Sequence, residues 1–143
     1  MNTISAIGIS GLAAAQTRLA GTASNIANVA TTGPVPTNSP GQPITTPAVG
    51  STGDQVYQAV DPQTQDLGGG GVVSRLAPGL PSYVQQFQPD SPDADAQGLV
   101  AAPAVNLDTS VTALLADSAY AKANLAVVKV GSEIQQDTLN LLS

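Results

Sequence analysis

Residues 107–142 read LDTSVTALLADSAYAKANLAVVKVGSEIQQDTLNLL, and this stretch decides the fold. Leu107, Val111, Leu114, Ser118, Ala121, Leu125, Val128, Ser132, Gln135, Leu139 and Leu142 alternate by four and three without a slip. That spacing predicts one helix with a continuous coiled-coil stripe. Its length would be about 54 Å, longer than a compact domain of this size normally holds. Ser118, Ser132 and Gln135 weaken the stripe but can fix its register. Leu115, Val127, Val130, Ile134 and Leu141 lie off it, so the helix is apolar on more than one side, as expected where several neighbours surround it. Asn106 or Asp108 can cap its start.

The other end of the chain carries a second helical pattern. It can start at an Asn2 or Thr3 cap and run to about Ala30, ahead of Gly33-Pro34, where a helix must stop. Leu12, Leu19 and Ile26 lie seven apart, interleaved with Ile9, Gln16, Ala23 and Ala30. Ala6, Ala13, Ala20 and Ala27 form a column of small residues that would let a neighbouring helix approach closely. Gly8, Gly11 and Gly21 weaken this helix by about 1 kcal/mol each relative to Ala, so it needs partners to hold it.

Between the ends the chain changes character. All 11 Pro and 10 of the 14 Gly fall between Gly33 and Pro103, which rules out a mainly helical middle. Gln55–Val60 and Val72–Leu76 are the only runs with fair strand character. They predict a long hairpin whose connection, Asp61–Gly71, holds Pro62 and four successive glycines. Residues 34–53 are expected to be extended or mobile.

Composition narrows the function classes. Ala supplies 22 of the 143 residues, whereas Tyr57, Tyr83, Phe87 and Tyr120 are the whole aromatic complement, so a thick core is not expected. A net charge of -6 argues against recognition of a phosphate backbone. With no Cys there is no disulfide framework or thiolate metal site. Met1–Thr17 carries no charge and is interrupted by Ser5, Gly8, Ser10 and Gly11, unlike a cleaved secretion signal. No run is long and apolar enough for a membrane span.

Candidate sites reduce to structural readings. The glycines at 68–71 are followed by no Gly-Lys-Ser/Thr and read as a linker. Asp93, Asp95, Gln97 and Gly98 match the opening of a calcium loop, but its twelfth place is Ala104 and Pro103 stands beside it. A turn leading into the last helix is the better reading. Lys122 and Lys129 read as a solvated helix face. Without His or Cys, and with Asp117 and Asp137 on a helix, the chain offers no poised acid–base pair. It is not expected to be an enzyme, and no cofactor is expected. The residues assigned to an assembly interface are Ile9, Leu12, Leu19, Ala23, Ile26, Leu107, Val111, Leu114, Leu125, Val128, Leu139 and Leu142.

Residues 11–33, GLAAAQTRLAGTASNIANVATTG, resemble the N-terminal signature of the bacterial flagellar rod and hook family, above all in Ala23-Ser24-Asn25-Ile26-Ala27-Asn28. Pro92–Asn106 and Ala119–Asn124 are similar to the proximal-rod members of that family. The resemblance implies a mainly α fold, its two long terminal helices forming an antiparallel coiled coil around a Pro/Gly-rich middle with a small β-hairpin. The corresponding divisions are 1–32, 33–105 and 106–143. It implies further that copies of the chain stack helically with other flagellar rod proteins in the periplasmic part of the basal body, where the ring is a further possible contact. Export would run through the flagellar type III apparatus without a cleaved signal. A subunit of this kind, poor in large side chains, is expected to be weakly folded until it assembles.

Overall fold

The computed structural model describes residues 3–44 and 55–142. Two helices bracket four short strands: α1 (Thr3–Asn28), β1 (Val60–Asp66), β2 (Val72–Pro78), β3 (Val84–Phe87), β4 (Leu99–Ala102) and α2 (Leu107–Leu141). The chain divides into two compact units, one of residues 1–21, 62–76 and 112–143, the other of residues 22–61 and 77–111. An Asn2 cap and the stretch 45–53 lie outside the described residues.

The first unit is built on the two helices. Ser5 stands beside Gly131, Gly8 beside Val128, Gly11 beside Asn124 and Arg18 beside Asp117. Numbers rise along one helix as they fall along the other, so the pair is antiparallel. Glycine lets the backbones meet. A Cβ at Gly8 would lie 2.8 Å from Val128 Cγ2 and 3.2 Å from the Val128 nitrogen, and one at Gly131 would lie 2.7 Å from Ser5 Oγ.

This contact corrects the seam expected from the heptads. Ile9, Ala23, Leu107, Val111, Leu125, Leu139 and Leu142 are exposed in the chain, and Leu12, Leu19, Ile26, Leu114 and Val128 are only half-buried. The column Ala6, Ala13, Ala20 and Ala27 is exposed as well. Close backbone approach places glycine on one helix opposite a side chain on the other, Gly8 opposite Val128 and Gly131 opposite Ser5 and Ile4, so most of the large residues of the expected stripe fall off this face. The glycines counted above as a weakness of α1 are therefore its means of contact.

A two-stranded sheet of β1 and β2 completes this unit. Only five residues join the strands, too few for a parallel crossover, so this is a hairpin. Its turn is closed by Leu67 N–H to the Gly71 carbonyl at 2.9 Å and by Gly68 N–H to Asp66 Oδ1 at 2.9 Å. Ser10 ties it to α1, accepting from Val72 N–H at 3.2 Å and donating to the Ile7 carbonyl at 2.8 Å. The first strand was expected at Gln55–Val60 but begins at Val60 and runs through Pro62, inside the stretch assigned to the connection. Proline is tolerated there because a two-stranded sheet leaves every strand with a free edge, where no backbone donor is needed.

In the second unit a core of Val56, Tyr83 and Ala101 is covered by Val35 and Ile44. Antiparallel β3 and β4 pair Val84 with Ala102 through Phe87 with Leu99, and Gly33 bridges to Ala101 from the other side. This second sheet was not foreseen. Its strands are four residues each, and Leu-Val-Ala-Ala has no strand signature of its own. Asp93–Gly98 is the turn of this sheet rather than the lead into α2. Asp95 Oδ1 accepts from Gln97 N–H and Leu99 N–H, both at 2.9 Å. The helix start belongs to Asn106, whose Oδ1 accepts from Thr109 N–H at 3.0 Å.

Candidate assembly surface

Polar groups fix how each unit is put together. In the helix pair, Arg18 Nε donates to Asp117 Oδ1 at 2.6 Å, and the carboxylate is 1% exposed against 34% for the arginine. The guanidinium also sits 5.8 Å from the Tyr120 ring centre, within cation–π range. Among the described residues Asp117 Oδ2 has no hydrogen-bond partner, so the arginine is the partner on which this buried carboxyl depends. By contrast, Lys129 and Glu133 form an exposed i,i+4 pair at 3.8 Å that contributes little.

Asn25 works as a strand would. Its Oδ1 accepts from Val60 N–H and from the Tyr57 hydroxyl, and its Nδ2 donates to the Val60 carbonyl, all at 2.9 Å. With the Tyr57 proton committed to Asn25, the Ser24 hydroxyl donates to the Tyr57 oxygen at 2.9 Å. The segment before β1 is thereby held on the last turns of α1.

Large apolar side chains face outward. On α2 the exposed set includes Leu115, Tyr120, Leu125, Val127, Val130, Ile134, Leu139 and Leu141, followed by Leu142 just past its end, whereas its buried residues are Asp117 and Gly131. Tyr120, Val127, Ile134 and Leu141 repeat at intervals of seven and line up on one side of the helix. Leu107 and Leu125 belong to the expected stripe, on another side. An isolated leucine at a surface is ordinary, but two exposed apolar stripes on one helix are area open to further contacts. Sequence reading found the stripe of Leu107 and Leu125 and placed Val127, Ile134 and Leu141 off it without resolving a second one. It missed Gly8, Gly11, Asn124, Gly131 and the Arg18–Asp117 pair, for which the signal was the clustering of small residues on one face of each helix.

Beside the helix contact lies a cleft of about 390 Å³, walled by Ile7, Ala14, Ala15 and Val72, with Gly70 of the hairpin tip and Arg18 at its margin. Among the described residues no three acidic, His or Cys side chains gather as metal ligands, and no helix is long and apolar enough to cross a membrane.

The α1 sequence can be set beside known proteins. Residues 6–34 match the family of flagella basal body rod proteins. That rod-family match covers α1 and the turn to Gly33-Pro34, about a fifth of the chain. It contains Gly8, Gly11 and Arg18 of the helix contact together with Ser24 and Asn25 of the strand tether. No curated protein matches the chain.

Proposed function

We propose that this chain is a structural subunit of the bacterial flagellar basal-body rod, of the proximal type called rod protein C (FlgC). The observation that carries the reading is the rod-family match over α1, in a chain whose terminal helices pair antiparallel and turn their large apolar residues outward. Copies join through these helices, as a coiled-coil layer, into a tube with other rod proteins. Contacts of this kind need not close on themselves, and an open helical polymer results. The tube transmits torque and encloses the export channel, and the chain reaches it through the type III apparatus. Its role is mechanical rather than catalytic. Proximal-rod type rests on the likeness of Pro92–Asn106 and Ala119–Asn124 to that subgroup. The other short rod subunit (FlgB) is the alternative, and mapping neighbours by crosslinking in intact basal bodies separates the two. The test of the reading itself is a strain lacking the chain. Loss of swimming, restored by a tagged copy that purifies with basal bodies, is the expected result, and normal swimming with no tag in basal bodies would overturn it.

A further inference from the structure

The geometry points to an end-to-end contact between copies in which the last turn of α2 in one copy seats in the cleft of another; it rests on the rod-subunit reading above. Two features of the chain are complementary. The cleft, about 390 Å³, has apolar walls in Ile7, Ala15 and Val72 and a single cation, Arg18. Of the arginine's five donors only Nε is engaged among the described residues, which leaves the terminal nitrogens for an acceptor. Elsewhere in the same chain, α2 ends with Leu139 and Leu141 and is followed by Leu142, the last two 87% and 81% exposed. No basic residue stands in that turn, although the final carbonyls of a helix lack intrahelical donors and carry partial negative charge. Asp137 adds a carboxylate one turn earlier. An apolar knob whose last carbonyls lack donors therefore meets an apolar hole whose margin, in the terminal nitrogens of Arg18, holds unengaged donors. Because knob and hole lie on different parts of one chain, the contact is heterologous and propagates. Tyr120 and Asn124 of the cleft lie 17 to 21 residues before Leu141, so copies with parallel helices are offset by about 26–32 Å along the helix axis.

The chain has no cysteine, which makes the test direct. Thr64→Cys, at the cleft, is combined with Leu141→Cys, and the full chain is oxidised after concentration. A disulfide needs Cα atoms within about 7 Å, far less than the roughly 26–32 Å of helix between the cleft and Leu141 within one copy, so a bridge reports contact between copies. The expected result is a ladder of dimers, trimers and longer species from the double variant, with each single variant giving dimers at most. Leu141→Asp with Leu142→Asp, two solvent-facing positions, is expected to weaken self-association at least tenfold with helix content unchanged. An assembled double variant that gives no more than the single variants overturns the contact and leaves the rod reading standing. A chain that stays monomeric at every concentration also overturns it, and purification of the tagged chain with basal bodies then decides the rod reading separately.

Discussion

Replacing Arg18 by Met is expected to destabilise the helix pair more than any other single surface change. The arginine is one-third exposed, but its partner is not: Asp117 is 1% exposed, its Oδ1 depends on the 2.6 Å bond and its Oδ2 has no partner. Removing one member of a buried pair typically costs about 3–5 kcal/mol, and the partial exposure of the arginine brings the expectation down to about 2–3 kcal/mol. Some packing is lost too, since the guanidinium lies over Tyr120. Asp117→Leu alone leaves a partly solvated arginine and should lose less, about 1 kcal/mol. The double variant Arg18→Met/Asp117→Leu puts apolar groups on both sides and should recover most of the loss, because replacing a buried pair outright is often neutral. Urea titrations followed by circular dichroism, in a fixed concentration of a burial-promoting osmolyte, give the four free energies of the cycle. Additive effects of the two single changes, or an Arg18→Met variant within about 0.5 kcal/mol of the parent, would refute the assignment of this pair as the polar anchor of the helix contact.

Other expectations follow from particular contacts. Gly8→Ala gains about 1 kcal/mol of helix propensity, yet its Cβ meets Val128, so overpacking should win and stability should fall by about 1 kcal/mol; Gly41→Ala, with open space around it, should be neutral. A peptide of residues 3–28 carrying Gly8→Ala should nonetheless be more helical than its parent. Asn25→Ala orphans Val60 N–H and C=O and should cost about 2–3 kcal/mol, with faster proteolysis at residues 55–61 as the direct readout. Asp95→Ala removes the acceptor for two turn amides and should cost about 1 kcal/mol; added calcium should leave the parent melt in place, and a calcium-dependent rise would refute the turn reading. Leu125→Asp, at a position 58% exposed, should change the stability of the dilute chain by no more than about 0.5 kcal/mol while abolishing swimming. Normal swimming would remove Leu125 from the assembly surface.

Much of the architecture was legible in the chain. The caps, the unbroken periodicity of residues 107–142 and the confinement of proline to the middle place both helices within two residues of their observed ends. The strands were less so. Val60–Asp66 carries a proline and four polar residues in a row, and it is a strand because its partner Val72–Pro78 supplies the pairing, which no local propensity encodes. Leu99–Ala102 is buried by tertiary context, between β3 on one side and Gly33 on the other. Helix facing was misjudged for a different reason. A heptad pattern says which residues share a side, but it does not say which side meets a neighbour inside the chain, and here the small and polar residues do.

That inversion bears on function. In an ordinary amphipathic helix the apolar stripe is consumed by the chain's own core and the polar face meets water. Here α2 buries an aspartate and a glycine and leaves most of its large apolar residues outside, Leu114 and Val128 being half-buried. Intrachain contact is thus made by backbones that approach through glycine, with a salt bridge fixing the register, and it leaves the hydrophobic area of the helix unspent. Burial of that area is the largest favourable free energy available to the chain, at roughly 25 cal/mol per Å². It becomes available only when other helices cover the two stripes. On the rod-subunit reading, a chain with so small a private core would gain its stability where it is assembled, through contacts of its terminal helices with other copies.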